Sequence, residues 1–600
     1  MTYRRSIQAL RGIAVLVVLG YHFGIPGFKN GFLGVDVFFV ISGFLMAHIY
    51  QGKSIRDFYT RRAKRLIPAY LMTIVLTCIF GFFRLVPNDF KQLIDQTKSA
   101  IILSPNIFFW FQNSYFQKTN FNPLLNLWSL GVEFHFYLIV PLIYIAQKNW
   151  KLANKSIFLI SIICCVGIIV ISPKTSFFLI PFRLWEFLAG VLIAEIHFRR
   201  FSKSFHVIGN WILISSLIFL FTLFPVNGFS QNLLLGHPGI ASFFTVFITS
   251  ILIGANSDFL TGSRALDQPL EWLGKYSYSL YLIHFPLLSL LNYKPFSGTI
   301  LNSDSYIRLI LIVMLTFVIA IAQYHFIEQR FRRVANIRKV IVVSLICILS
   351  INFFAQRTQV LRYTPYQINI SHAMQEIPKF RCGKLFRLTH PTEKMCKLNH
   401  GSKQKRFLLL GNSHADAIKT TFLKVANMRG VGVFFFVSNN PLSIQNQEIL
   451  GLAKDIRSKG ITDVFFHFAP GSVDLEKLST LLKNLKGLGI NCHIFGPVPT
   501  YDEGVPTQLW NKVTFGIMPK SQNYKQYVLK NKEELLFLRN NLGQDADYYD
   551  VASQFCKPKC LISDLDYRPY YSDASHLTFT GAQRLTPLIT AAIESAIKNS

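Results

Sequence analysis

The sequence predicts two modules of different fold class. The first is a multi-pass α-helical membrane bundle of about eleven transmembrane helices. The second is an extracytoplasmic α/β domain built on a doubly wound parallel sheet. Three observations predict this. Residues 1–355 form a train of apolar runs, residues 356–600 alternate short β runs with amphipathic helical patterns, and the cysteines change character at the same boundary.

Composition sets the bounds. The 600 residues are 51% hydrophobic and 16% charged, with a mean hydropathy of +0.33, too apolar for a soluble chain of this length. The 62 Lys and Arg against 31 Asp and Glu suggest nucleic acid on charge alone, but the basic residues of the first module lie in short stretches between apolar runs. That is the distribution that orients membrane helices, so no nucleic acid is expected. A cytosolic enzyme, a disordered chain and a transmembrane β-barrel are excluded on the same grounds.

The apolar runs cover residues 7–23, 31–50, 66–86, 124–147, 156–172, 178–197, 208–225, 238–254, 272–290, 306–326 and 338–355, each suited to roughly 30 Å of hydrocarbon. Residues 99–112 are expected to be re-entrant or peripheral, because the run is short and carries Pro105, Asn106 and Gln112. Eleven crossings bring Arg4 and Arg5, Lys53 to Arg65, Lys148 to Lys155, Arg199 to Lys203 and Arg330 to Lys339 to one side, the cytoplasm. The first run follows Arg4 and Arg5 like a signal peptide but lacks an Ala-x-Ala site, so an uncleaved helix is expected. An odd count places residues 356–600 outside the cytoplasm. The expected boundaries are 1–335 for a membrane domain of ten helices, 336–356 for the eleventh, 357–404 for an extension and 405–600 for the α/β domain.

Cysteine usage agrees. Cys78, Cys164, Cys165 and Cys347 lie in apolar runs, whereas Cys382 with Cys396 and Cys556 with Cys560 are spaced as disulfide candidates for an oxidising compartment. Metal binding is the competing reading of these four, but the spacings match no zinc pattern, and no metal is expected.

In the second module, Phe407–Leu410, Val431–Val437, Val464–Phe468 and His493–Phe495 read as strands separated by helical patterns, which argues a parallel sheet covered on both faces. The first strand runs into Gly411-Asn412-Ser413-His414, with a helix expected from Ala415. A serine there gains backbone donors and a favourable dipole, at the strand ends where such sheets bind ligands. Taken alone, the turn is read more readily as a helix cap than as chemistry. Near the C-terminus, however, Asp573-Ala574-Ser575-His576-Leu577 supplies a base and an orienting carboxylate three residues apart, the partners that a serine nucleophile requires.

These two segments resemble the blocks of the SGNH hydrolase superfamily, across most of residues 405–595. The resemblance implies an SGNH-like, flavodoxin-like domain and a triad of Ser413, His576 and Asp573, with Gly411 and Asn412 at the turn and the backbone of Ser413 and Gly411 serving an oxyanion hole. Two departures stand out. Asn412 replaces the usual Asp, and His467-Phe468-Ala469-Pro470-Gly471-Ser472 lacks a Gly-x-Asn-Asp block, leaving Asn439 and Asn440 as candidate donors.

Ionisable groups within the bundle cost about 2.5–3.5 kcal/mol each to insert and so are functional candidates. Arg11 and His22 fall within about 20° of one helix face, about 16 Å apart along it. Asp36, Ser42, Glu133 and His284 add polar groups, and Arg183 with Glu186 are spaced to pair. Arg61, Arg62, Lys64 and Arg65 before Pro68 suit either lipid headgroups or a phosphorylated substrate. The ordered set Leu10-Arg11-Gly12 with His22, Phe38-Phe39-Val40-Ile41-Ser42-Gly43-Phe44, Arg62-x-x-Arg65-x-x-Pro68, Trp128-Ser129-Leu130 with Glu133, Ser277 to His284, and Ile327-Glu328 resembles the acyltransferase-3 family of integral membrane enzymes. Gln8 departs from it where an Asp is usual.

That resemblance implies acyl transfer, usually of acetyl from acetyl-CoA as co-substrate, to a glycan beyond the membrane. Fusion to an SGNH domain resembles bacterial enzymes of the inner membrane that O-acetylate lipopolysaccharide O-antigen, other surface glycans or peptidoglycan. Arg11, His22, Arg62, Arg65, Asp36, Ser42, Glu133, His284 and Glu328 are then the expected donor-side residues, and the bilayer and the glycan the expected partners. A transporter with a modifying domain and a membrane-anchored esterase are the alternatives from other classes.

Overall fold

The computed structural model describes residues 4–599 apart from 51–53, 113–119, 151, 196–202, 229, 256–259, 335–336, 379–380, 391, 400, 439–441, 443–445 and 542–544. Asn439 and Asn440, and Arg199 with its neighbour Arg200, lie outside the described residues. The chain divides into two compact units, Met1–Gln359 and Val360–Ser600.

Among the described residues, each of the eleven apolar runs contains a helix. The helices are α1 (Arg5–His22), α2 (Gly34–Tyr50), α3 (Ile55–Arg84), α4 (Leu127–Asn149), α5 (Ala153–Ile171), α6 (Leu184–Glu195), α7 (Lys203–Thr222), α8 (Ile240–Gly254), α9 (Arg264–Leu291), α10 (Tyr306–Gln323) and α11 (Ile337–Val360). Among the described residues, five segments are long and apolar enough to cross a membrane: Gly31–Tyr50, Ile55–Arg84, Leu127–Asn149, Ala153–Ile171 and Tyr306–Arg332. Residues 99–112 belong to two short helices, Pro87–Ile101 and Pro105–Phe111, separated by a break at which Leu103 takes a positive φ.

Backbone-to-backbone contact holds the middle of the bundle. A Cβ on Gly12 of α1 would lie 2.0 Å from Leu270 O of α9, and one on Gly274 would lie 1.9 Å from Gln8 O. Gly43 and Gly190 do the same for α2 and α6, at 1.8 Å from Phe187 O and 2.0 Å from Val40 O. Small residues permit this close approach where apolar burial gives no preference between helix and lipid.

The second unit is a six-stranded sheet of order β1-β3-β2-β4-β5-β6, comprising β1 (Met395–Lys397), β2 (Ser402–Gly411), β3 (Val431–Phe436), β4 (Asp463–His467), β5 (Asn491–Phe495) and β6 (Asp547–Tyr549). The sheet is mixed, which corrects the expectation of an all-parallel one. Strands β2 to β6 are parallel, but the edge strand β1 runs antiparallel to β3. Strands β1 and β6 are three residues each, too short to show a period in the sequence.

Alternation along β2 loads both faces. Leu408 and Leu410 join Val464, Phe466 and Ile494 in one core with α13 (Asn446–Ser458) and α14 (Leu475–Gly487). On the other face the Phe407 and Phe465 rings meet at a tilt, 5.2 Å apart, and Phe422 of α12 (Ser413–Met428) meets Phe465 edge-on at 4.9 Å. The five parallel strands follow the flavodoxin-like order, whose switch point lies between β2 and β4 at their carboxyl ends. Gly411 and His467 end those two strands side by side.

Candidate functional site

The switch point carries the serine. Helix α12 begins at Ser413 rather than Ala415, and its N-cap is Asn412, whose side chain accepts from His414 N at 3.0 Å. The capping reading of Ser413 is thereby corrected: Asn412 takes that role and leaves the Ser413 hydroxyl for other work. Asn412 also accepts from Ala469 N at 3.2 Å and donates to Ser472 Oγ at 2.8 Å, so it locks the nucleophile turn to the loop after β4. A carboxylate could not make that donation, which gives Asn in place of Asp a structural use. Gly411 is glycine for space, since a Cβ would lie 1.9 Å from His467 O.

Ser413 Oγ lies 2.7 Å from His576 Nε2, and His576 Nδ1 lies 2.7 Å from Asp573 Oδ2. With Nδ1–H donating to the carboxylate, Nε2 presents its lone pair to the serine hydroxyl. Asp573 Oδ1 accepts from Ser575 N at 2.7 Å and His576 N at 2.8 Å. Burial pushes the Asp573 carboxyl up, but the His576 ring and these N–H groups outweigh it and hold it down at about 2. The loop is pinned from outside by Tyr501 N to Ala574 O at 2.9 Å and Val505 N to Asp573 O at 3.1 Å. Thr578 caps the next helix by accepting from Gly581 N at 2.9 Å.

Two further histidines line the ring's surroundings. His414 lies 4.7 Å from His576 and 6.0 Å from His467 between ring centroids. Burial, then the neighbouring His576 and His467, hold His414 well below its ordinary value. Burial lowers His467 to about 4, although its Nδ1 donates to Phe495 O at 3.2 Å. Both disulfide candidates are bonded, Cys382 to Cys396 and Cys556 to Cys560.

The bundle has its own cavity, of about 70 Å³, lined among others by Arg11, Ser42, Arg62, Arg65, Glu133, Tyr137, Ser277 and Tyr278. Arg11 donates to Ser277 Oγ at 2.9 Å, and the hydroxyls of Ser42 and Tyr137 both donate to Glu133. The sequence reading missed Tyr137, although it stands one turn beyond Glu133 on α4, and carried Ser277 only as the start of a motif.

Four expected members of this group, His22, His284, Asp36 and Glu328, lie elsewhere. His22 pairs with His284, Nδ1 to Nε2 at 3.2 Å, and both are buried. Asp36 faces a separate cluster: Arg183 Nη2 donates to it at 2.6 Å and His237 Nε2 lies at 3.2 Å, while Arg183 Nη1 meets Glu186 at 2.9 Å. The Arg183–Glu186 pair is thus joined by a carboxylate 147 positions away in sequence. Glu328 accepts from Ser279 Oγ at 3.2 Å and pairs with Arg332.

Comparison with known proteins follows the same division. The profile of the acyltransferase domain family matches residues 4–325, and that of the SGNH domain fused to such domains matches residues 381–591. The chain is 32% identical over 356 residues to the peptidoglycan O-acetyltransferase OatA of Listeria monocytogenes, covering 55% of this chain and 56% of that protein. It is 35% identical over 357 residues to the O-acetyltransferase OatA of Staphylococcus aureus, covering 55% and 57%. The chain therefore spans about half the length of the curated relatives it matches. Among solved structures, the periplasmic domain of a lipopolysaccharide acetyltransferase of Salmonella Paratyphi A aligns with a TM-score of 0.30 and 15% identity, over 39% of this chain and 97% of that one. With the acyltransferase profile matching more than half of its residues, the chain belongs to the acyltransferase domain family, in the form that is fused to an SGNH domain.

Proposed function

We propose that this protein is a membrane O-acyltransferase that moves an acyl group, acetyl foremost, from cytoplasmic acyl-CoA to hydroxyls of a cell-surface glycan. The observation that carries this reading is the Ser413–His576–Asp573 chain of 2.7 Å contacts in a member of the acyltransferase domain family. In the bundle, Arg11, Arg62 and Arg65 supply cations for the phosphates of acyl-CoA around one cavity. The N-terminus is assigned to the cytoplasm and the α/β unit to the far side of the bacterial cytoplasmic membrane, from the distribution of basic loops.

In the α/β unit Ser413 Oγ attacks the acyl carbonyl while its proton passes to His576 Nε2. The Asp573 carboxylate stabilises the imidazolium that forms. Collapse of the tetrahedral intermediate returns that proton to the leaving group. His576 then takes the proton of a sugar hydroxyl, whose oxygen attacks acyl-Ser413, and the ester passes to the glycan. The name of the Listeria relative, a peptidoglycan O-acetyltransferase, supports a glycan acceptor, with O-antigen as the other acceptor class to be tested.

The test is mass spectrometry of peptidoglycan and outer polysaccharides from matched cells with and without the gene. Expression is expected to add O-acetyl groups to one of these fractions, and Ser413→Ala and Arg11→Ala each to abolish the gain. The triad equally suits water as acceptor, which would make the protein an esterase. Loss of pre-existing acetyl groups on expression would establish that second reading and sink the first.

A further inference from the structure

Beneath the nucleophile turn lies a residue that no motif marks. Arg381 is 2% exposed, and its Nη1 donates to Gly411 O at 3.1 Å and to Phe436 O at 3.5 Å, the carboxyl ends of β2 and β3. Its Nε meets Asp416 Oδ2 at 3.3 Å, and its backbone N donates to both Asp416 oxygens at 3.1 Å. Asp416 is in the first turn of α12, three residues after Ser413. Lys419 Nζ closes the ring, donating to Arg381 O at 2.8 Å and to Asp416 Oδ1 at 2.7 Å. One side chain thus grips the strand end before Ser413 and the helix turn after it.

The arrangement is costly in two ways. A buried guanidinium loses its hydration, and a neighbouring carboxylate offsets that loss only with good geometry. Arg381 also takes a φ of +51°, in the left-handed region that a residue with a Cβ avoids. An apolar side chain would fill the β2–β3 crevice at less cost, and strain of this kind collects at functional sites. The next residue, Cys382, is bonded to Cys396 in β1, and Cys396 sits opposite Phe435 of β3. The disulfide therefore ties Arg381 to the edge of the sheet it grips.

We propose that Arg381 is the positioning residue of the Ser413 turn and that the Cys382–Cys396 disulfide is its tether, an inference that rests on Ser413 being the nucleophile. Because a peptide unit is planar, a hydrogen bond on Gly411 O sets the plane of the Gly411–Asn412 peptide and the entry of the chain into Ser413. The Asp416 contacts set the first turn of α12. Together they determine where Ser413 Oγ stands relative to His576 Nε2.

The experiment uses the full chain in lipid nanodiscs and a fluorophosphonate probe that phosphonylates an activated serine. Rate constant and final extent of labelling on the Ser413 peptide are read by mass spectrometry across pH. Arg381→Lys keeps a cation but has one nitrogen, which cannot meet Asp416 and the two strand-end carbonyls together as Nε and Nη1 do. Its rate constant is expected to fall about 10- to 100-fold, the loss typical of a misplacement near 1 Å, with full labelling reached and the pH midpoint unmoved. The Cys382→Ser/Cys396→Ser double variant is expected to change in the same direction, and Cys556→Ser/Cys560→Ser to keep the wild-type rate. Labelling of Arg381→Lys at the wild-type rate overturns the proposal. So does a reduced extent at an unchanged rate constant, which would show a role in folding alone. A wild-type chain that the probe does not label at Ser413 removes the nucleophile, and the proposal with it.

Discussion

At the residue scale, the triad separates charge from geometry. Asp573 is ionised down to about pH 2 and its two oxygens have different partners, one on the His576 ring and one on the backbone. Asp573→Asn preserves shape but presents an amide that can donate to Nδ1, which turns the imidazole to the wrong tautomer. The rate of probe labelling at Ser413 is expected to fall about 10³- to 10⁴-fold while melting changes little. Ser413, His576 and Asp573 were legible in the sequence because their chemistry needs those residue types beside helix starts and turns. Arg381 was not, because what it grips is Gly411 O and Phe436 O, backbone atoms 30 and 55 positions away.

At the element scale, β4 joins fold to pH response. His467 ends that strand fully buried, with a folded-state value of about 4 against an ordinary 6.5. Between those values the unfolded chain binds a proton that the folded chain refuses. Stability present above pH 6.5 is therefore lost as pH falls towards 4, by on the order of 3 kcal/mol from this group. Hydrogen exchange of β4 and β5 in the full chain is expected to accelerate through that window, and His467→Gln to flatten the dependence. In the bundle, α3 presents Arg62 and Arg65 one turn apart to the same cavity as Arg11. Under the proposed function with acyl-CoA as donor, Arg62→Ala and Arg65→Ala are each expected to raise its KM by about tenfold, as loss of one charge-assisted contact would, measured as CoA release by the protein in nanodiscs.

At the scale of the whole molecule, the buried charges of the first unit hold distant helices together. Arg183 stands between Asp36 and Glu186 with no exposure on any of the three side chains. Arg183→Met leaves two carboxylates buried without their cation. A loss of about 3–5 kcal/mol is expected, read as a large drop in melting temperature in detergent. Melting at the wild-type temperature would show that the cluster is not a structural anchor. In the second unit, the disulfide from Cys382 to β1 brings a segment outside the predicted strands onto the sheet edge.

The sequence by itself determined the division into an apolar helical part and an α/β part, the four longer parallel strands and the serine, histidine and aspartate of the candidate triad. Each of these is local: periodicity, length against a bilayer, or a residue type at a turn. Tertiary structure alone decided that Asn412 caps while Ser413 is left to His576, that β1 enters antiparallel, and that Asp36 joins Arg183 rather than the cavity of Arg11 and Glu133. It also placed His22 against His284 and Arg381 beneath the nucleophile turn. The physical reason is common to all of them. A buried polar group must find a partner of matching geometry, and which of several partners it finds depends on packing between segments far apart in the chain.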